Sequence, residues 1–455
     1  MSEASPSRKI APWARAKELA ARTPETRNRY VDFLRAASIT VVVIGHWLIA
    51  AAYVDNGQLK LGDMLRVATW TQWLTWITQV MPLFFIVGGY SNGASWAAAR
   101  RSGQGYGLWL ATRLKRLIGP VVPLLIVWSV MAMIAHRFGV HPRMIKVGSQ
   151  AALIPTWFLA VYIMVVITAP ATHWAWRRFG MASFWGLALG AVIVDTVAFK
   201  TDFPAIRWVN YAFVWLGVHH LGYAWRDGKI VGPARALPWA ACGLGVLIYL
   251  VTVASYPVSM ITVPGEEVSN SRPPTLALLA LGAFQAGLVL ALEAPARRWL
   301  VRLRPWAATV LVNGTIMTLF LWHLTVMVLV IGLANLLGNI GLALQPGSWN
   351  WWASRPIWIA ILAAFLSIFV AIFARFEQTS RRRAVASIPT WRTIAGALGV
   401  CTGLALLALN GIGAEGPLGI RMGTVTMALV GAALVLGLPQ RRELPDSRNQ
   451  KGAPN

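Results

Sequence analysis

Residues 29–53 read RYVDFLRAASITVVVIGHWLIAAAY. The run is apolar and long enough to cross a bilayer as a helix, which takes about 20 residues. Yet it carries Asp32 and Arg35 near its start and His46 deep inside. Ionisable groups are costly in hydrocarbon and therefore mark function there. Arg35 and His46 lie eleven positions apart. At 100° per residue this returns to nearly the same face after three turns, roughly 16 Å along the axis. The two share a face without touching, so one extended ligand accounts for the pair better than a salt bridge does.

The rest of the chain has the same character. Its 455 residues are 57% hydrophobic and only 13% charged, with a mean hydropathy of +0.57. That is the composition of a polytopic membrane protein, not of a soluble domain. A net charge of +25 would suit a nucleic-acid binder if the basic residues shared one surface. Instead they stand in short blocks between apolar runs, as topology determinants do, and no nucleic-acid partner is expected. Cys242 and Cys401 lie far apart in apolar runs, which indicates neither a disulfide framework nor a metal site.

A window of about nineteen residues predicts twelve spans: 34–54, 68–90, 117–135, 151–170, 181–199, 208–225, 237–257, 274–292, 309–336, 357–374, 393–410 and 422–438. The ninth is long enough to tilt or break. With the N-terminus inside, 30 Lys and Arg fall on the cytosolic side and 10 on the other. This bias places both termini in the cytosol. The expected class is thus all-α, with residues 1–28 a cytosolic tail, 29–374 a ten-span body, 375–392 a basic linker, 393–438 two further spans and 439–455 a disordered tail. The polar N-terminus is not a cleavable signal; residues 12–22 form either a short amphipathic surface helix or plain tail. Tryptophans at 70, 73, 76, 174, 176, 351 and 352 stand where an aromatic belt would put them.

The segment DFLRAASITVVVIGH, residues 32–46, resembles the first-helix signature of the membrane-bound acyltransferase 3 family, an Arg followed after ten residues by a His. Further elements of that resemblance extend it over residues 29 to about 374. Arg113, Lys115 and Arg116 in TRLKRLIGP are similar to the family's basic motif. Pro155 to Leu159 match its Trp-Phe-Leu element, and Leu321, Trp322 and His323 its late Leu-x-His. The chain departs from the family at Gly89, Tyr90 and Ser91, where Ser-Gly-Phe is usual.

The resemblance implies an enzyme, an O-acyltransferase of the cell membrane that moves an acyl group, in the first instance acetyl, from acetyl-CoA to a hydroxyl of an envelope carbohydrate or glycolipid. It assigns His46 as catalytic base; a neutral imidazole keeps a lone pair for the acceptor's proton. Arg35, with Arg113 and Arg116, would meet the coenzyme A phosphates. An extended pantetheine arm is of about the length that separates Arg35 from His46. His323 would position the acceptor or serve as a second proton site, and Trp157 would line the acceptor pocket. Direct transfer and an acyl-histidine intermediate both remain open, as does the acceptor. Arg35 can also pair with Asp32 one turn earlier, and Asp195, inside span five, can orient His46. His219 and His220 are adjacent and point about 100° apart, so they form no shared metal site by themselves. A transporter without chemistry is the competing class; the absence of an internal repeat in the sequence argues against it.

Overall fold

The computed structural model describes residues 12–382 and 388–437, with the side chains in those ranges apart from 379–382. The expected tails at 1–11 and 438–455 and part of the linker fall outside the described residues.

Helix α1, Pro12–Ala21, precedes α2, Arg29–Ile49. Asn28 starts α2 by accepting from the amides of Tyr30 and Val31, which removes orphan donors that a first turn leaves. Contrary to the expected span 34–54, the helix stops at Ile49. Its β-branched and alanine-rich continuation forms an antiparallel hairpin of β1, Ala50–Asp55, and β2, Gln58–Asp63. Asn56 and Gly57, both at positive φ, make the two-residue turn that such a hairpin requires.

The short α3, Met64–Val67, and α4, Thr71–Thr78, lead into α5, Met81–Arg101. Helices α6, Tyr106–Ile118, and α7, Val121–Arg137, make the next passage, broken at Gly119 and Pro120. A helix not foreseen as separate, α8, Pro142–Leu153, precedes α9, Thr156–Phe179. Then follow α10, Met181–Lys200, α11, Asn210–Arg226, α12, Pro233–Thr252, and α13, Leu276–Ala291, which bends by 53° into α14, Glu293–Trp299. The long ninth apolar run breaks at Thr315 into α15, Leu303–Gly314, and α16, Ile316–Leu336. Helix α17, Trp349–Arg382, continues past the expected boundary at 374. The chain ends in α18, Thr390–Asn410, and α19, Met422–Leu436. Among the described residues, nine helices or continuous helix pairs are long and apolar enough to cross a membrane, ten if the bent pair counts as one. Helices suit that setting because each satisfies its own backbone.

Two close approaches hold the bundle. A Cβ on Gly222 would stand 2.1 Å from the Ile86 carbonyl oxygen, and one on Gly89 2.0 Å from that of His219. The paired glycines therefore let α5 and α11 touch backbone to backbone, as small residues do between membrane helices. Gly396 and Gly431 do the same for α18 and α19. That last pair is no detached appendage: Thr156 Oγ1 donates to Leu404 O at 3.2 Å, and Ser149 Oγ accepts from the Ile412 amide at 2.9 Å.

Three expectations are corrected by packing. Helix α1 buries Ala16 and Ala20, the latter against Trp306 and Ala307 of α15, and Trp306 Nε1 donates to Thr23 Oγ1 at 3.0 Å; its apolar side faces protein rather than a lipid surface. Trp76, Trp176 and Trp351 are buried. The first two donate to Val258 O and Asp227 Oδ2 at 2.8 Å each, so these rings fix helices rather than float at an interface. Asp195 accepts from Asn210 Nδ2, Tyr256 Oη and the Leu276 amide at 2.7, 2.9 and 2.7 Å. It is a structural node and does not orient His46.

Candidate active site

Helix α2 carries a polar group at each end of one face. At its start, Arg35 Nη2 donates to Ser91 Oγ of α5 at 3.0 Å, and Nη1 lies 3.5 Å from Asp32 Oδ1. The expected Asp32 and Arg35 couple is thus present but long. Asp32 has a nearer partner in Arg27, whose Nε stands 2.6 Å from Oδ2. Arg113 of α6 reaches the same place, donating through Nη2 to the Ser91 carbonyl at 2.8 Å and to Ser95 Oγ. Together with Asn28, Tyr90 and Ala94 these residues line an open basin of about 470 Å³. Three guanidinium groups face one carboxylate there. The surplus positive charge and the forked donor geometry suit a phosphorylated ligand.

Arg116, three residues beyond Arg113, is exposed and is not part of that lining. Conversely, Arg27, Asn28 and Ser95 line the basin without having been singled out, and Tyr90 had stood out only as a departure from the family pattern. Asn28 could have been read as a cap, but Arg27 sat in a polar tail with nothing in its spacing to mark it.

At the far end of α2, His46 meets the second deep histidine. His46 Nδ1 lies 2.9 Å from His323 Nε2 of α16, with the rings nearly parallel at an interplanar angle of 15°. Trp47 Nε1 donates to the His323 carbonyl at 3.1 Å and locks the two helices in register. His323 Nδ1 lies 2.7 Å from the Phe320 carbonyl. A carbonyl only accepts, so Nδ1 of His323 carries the proton, and in the neutral ring Nε2 is then a lone pair. His46 must donate to it from Nδ1. The remaining nitrogen, His46 Nε2, is left with a lone pair for which the described residues supply no partner. One backbone carbonyl thereby sets the tautomer of both rings, the usual device for orienting an imidazole.

His323 is fully buried whereas His46 is half-buried, and a Cβ added at the neighbouring Gly45 would meet nothing within 4 Å. Of the two rings, His46 is thus the one with open space beside it. Between Arg35 and His46 on the same face, Ser38 is buried with an Oγ that has no hydrogen-bond partner among the described residues. Such a group is costly to leave unpaired. Trp157, half-buried near the start of α9, reaches this pair only through other rings. It stands edge-on to Phe158 at 6.3 Å, Phe158 packs on Phe320 at 5.5 Å, and Phe320 on His323 at 6.2 Å.

His219 and His220 stand elsewhere. His219 Nε2 lies 3.2 Å from Asn92 Nδ2 and His220 Nδ1 2.7 Å from Leu216 O. No group of three or more His, Cys, Asp or Glu with metal-holding geometry occurs among the described residues.

A multi-pass helical membrane protein with a basic basin at one end of a helix and an imidazole pair at the other is the class that these elements define. A family model described as an acyltransferase domain, that of the acyltransferase 3 family, matches residues 28–376, and the chain belongs to that family. No curated protein and no solved structure matches it.

Proposed function

We propose that the protein is an O-acyltransferase of the cell membrane that moves an acyl group, most simply acetyl, from coenzyme A thioester to a hydroxyl of an envelope carbohydrate or glycolipid. The observation that carries this reading is His46, oriented by His323 of α16, on the same helix as Arg35 of the arginine basin. In this reading the chain crosses the membrane twelve times with both termini in the cytosol, so that the basin opens where coenzyme A is found.

Arg35 and Arg113, joined by Arg27, hold the phosphates of the donor. The pantetheine arm runs along α2 past Ser38, whose unpaired hydroxyl suits one of its amides, and delivers the thioester to His46. There, His46 Nε2 accepts the proton of the acceptor hydroxyl as that oxygen attacks the thioester carbonyl. The C–S bond breaks, the ester forms, and the proton on Nε2 passes to the departing sulfur to give free thiol. While His46 is cationic, its Nδ1–H donates to His323 Nε2, which spreads the charge. General-base catalysis of this kind contributes about 10²–10⁴ in rate. Trp157 lines the approach of the acceptor.

The test uses the full chain in lipid nanodiscs with acetyl-CoA and an envelope glycolipid extract. Free thiol released in step with one acetyl group gained per glycolipid supports the proposal; thiol release without acceptor modification, or none, overturns it. Labelled acetyl trapped on the protein without acceptor would favour the acyl-histidine route.

A further inference from the structure

Arg355 stands nearly two helical turns into α17, at the opposite end of the bundle from the arginine basin. Trp351, one turn before it, packs with Ala51 and Met64. Ala51 lies five residues beyond His46, just past the end of α2. This region therefore belongs to the His46 end of α2, whereas the basin belongs to its start.

Arg355 is only 9% exposed. Its guanidinium stacks over Trp351 at 4.0 Å and faces Trp358 at 5.6 Å. Nε donates to the Trp351 carbonyl at 3.2 Å and Nη2 to Ser354 Oγ at 3.1 Å. No carboxylate pairs with it among the described residues, in contrast to Arg27, Arg35 and Arg297. A buried cation ordinarily requires a counter-charge. The indole N–H groups of Trp351 and Trp358 are also buried without a hydrogen-bond partner among the described residues. On one helix face, then, two indole donors lack acceptors and a cation lacks a counter-charge.

We propose that Arg355, Trp351 and Trp358 form a binding site for the acceptor, and that the acceptor is an anionic glycan or glycolipid whose phosphate or carboxylate supplies the missing counter-charge. This rests on the acyltransferase reading and adds the chemical class of its acceptor. It also separates the two substrates: phosphates of the donor at one end of α2, the anionic acceptor at the other, and His46 between.

The test measures binding to the full chain in nanodiscs, followed by tryptophan fluorescence, with decyl phosphate, decyl glucuronide and neutral decyl glucoside as probes. Free phosphate and glucuronate serve as lipid-less arms. The two anionic amphiphiles should bind about tenfold or more tighter than the neutral one, since charge-assisted contacts to a buried guanidinium are the strong ones. Arg355→Gln should erase that preference and Arg355→Lys should keep part of it, which guards against a variant that fails to fold. Preference for the amphiphiles over the free anions assigns the site to a glycolipid, and equal binding to a glycan. No charge preference, or a preference that survives Arg355→Gln, overturns the proposal. Binding is read without turnover, so a protein that transfers acyl groups yet shows no anionic preference refutes the site alone. One that binds as expected but transfers nothing refutes the enzymatic reading alone.

Discussion

Replacing His323 by Phe removes the nitrogen that receives His46 Nδ1–H at 2.9 Å while keeping a ring in the space. The His46 ring is then no longer held in one tautomer, and a donor inside the bundle has lost its acceptor. Leaving such a group unpaired costs about 1–3 kcal/mol, which corresponds to a roughly 5- to 150-fold loss of rate if it is felt in the transition state. His323→Gln is the informative companion, because its Oε1 can take the place of Nε2 and accept the same hydrogen bond; it should recover much of the loss. The measurement is thiol release from acetyl-CoA at saturating donor, with size-exclusion profile and donor affinity as checks on folding. The double variant with His46→Ala should be scarcely slower than His46→Ala alone, since positioning matters only while the positioned ring is present. An unchanged rate in His323→Phe, or effects that multiply fully in the double variant, would refute the argument.

The basin makes a separate prediction. Arg35→Ala should raise the KM for acetyl-CoA about tenfold or more, as expected for loss of a guanidinium contact to phosphate, and leave the acceptor KM unchanged; steady-state kinetics with each substrate varied checks this. Gly222→Ala drives a Cβ to 2.1 Å from the Ile86 carbonyl and 2.6 Å from the Tyr90 amide nitrogen. It should destabilise the bundle by about 1–3 kcal/mol or more, read as a lowered midpoint of thermal unfolding in detergent. Ala20→Glu places a charge at a position 2% exposed against Trp306. It should release α1 and speed tryptic cleavage at Arg22 and Arg27, with cleavage mapped by mass spectrometry.

How far the sequence could be read depended on whether a feature was local. The helical period alone put Arg35 and His46 on one face of α2, and the apolar runs located helices throughout the chain. The break at Thr315 lay inside the run that was long enough to break. What needed partners from distant sequence was not legible in the same way. His46 and His323 are 277 positions apart, and only the packing of α16 on α2 makes them a pair with fixed tautomers. Arg113 and Arg116 look equivalent by spacing, yet Ser91 and Ser95 draw one into the basin and leave the other exposed. The end of α2 was misplaced because Ala50 to Tyr53 is as apolar as the helix before it; the turn at Asn56 and Gly57 was the signal that a hairpin follows. Arg355 passed as one basic residue in an outer loop, since a missing counter-charge is visible only in three dimensions.

In the proposed reaction the His46 imidazole, oriented through His323, takes the proton from the acceptor as the thioester is attacked. The most direct measurement is free-thiol release from acetyl-CoA by purified His46→Ala in the presence of envelope glycolipid, beside the wild-type chain. Release should fall by about 10²–10⁴ while donor affinity and the unfolding midpoint stay as they were. Activity that persists at the wild-type rate in this well-folded variant would contradict it.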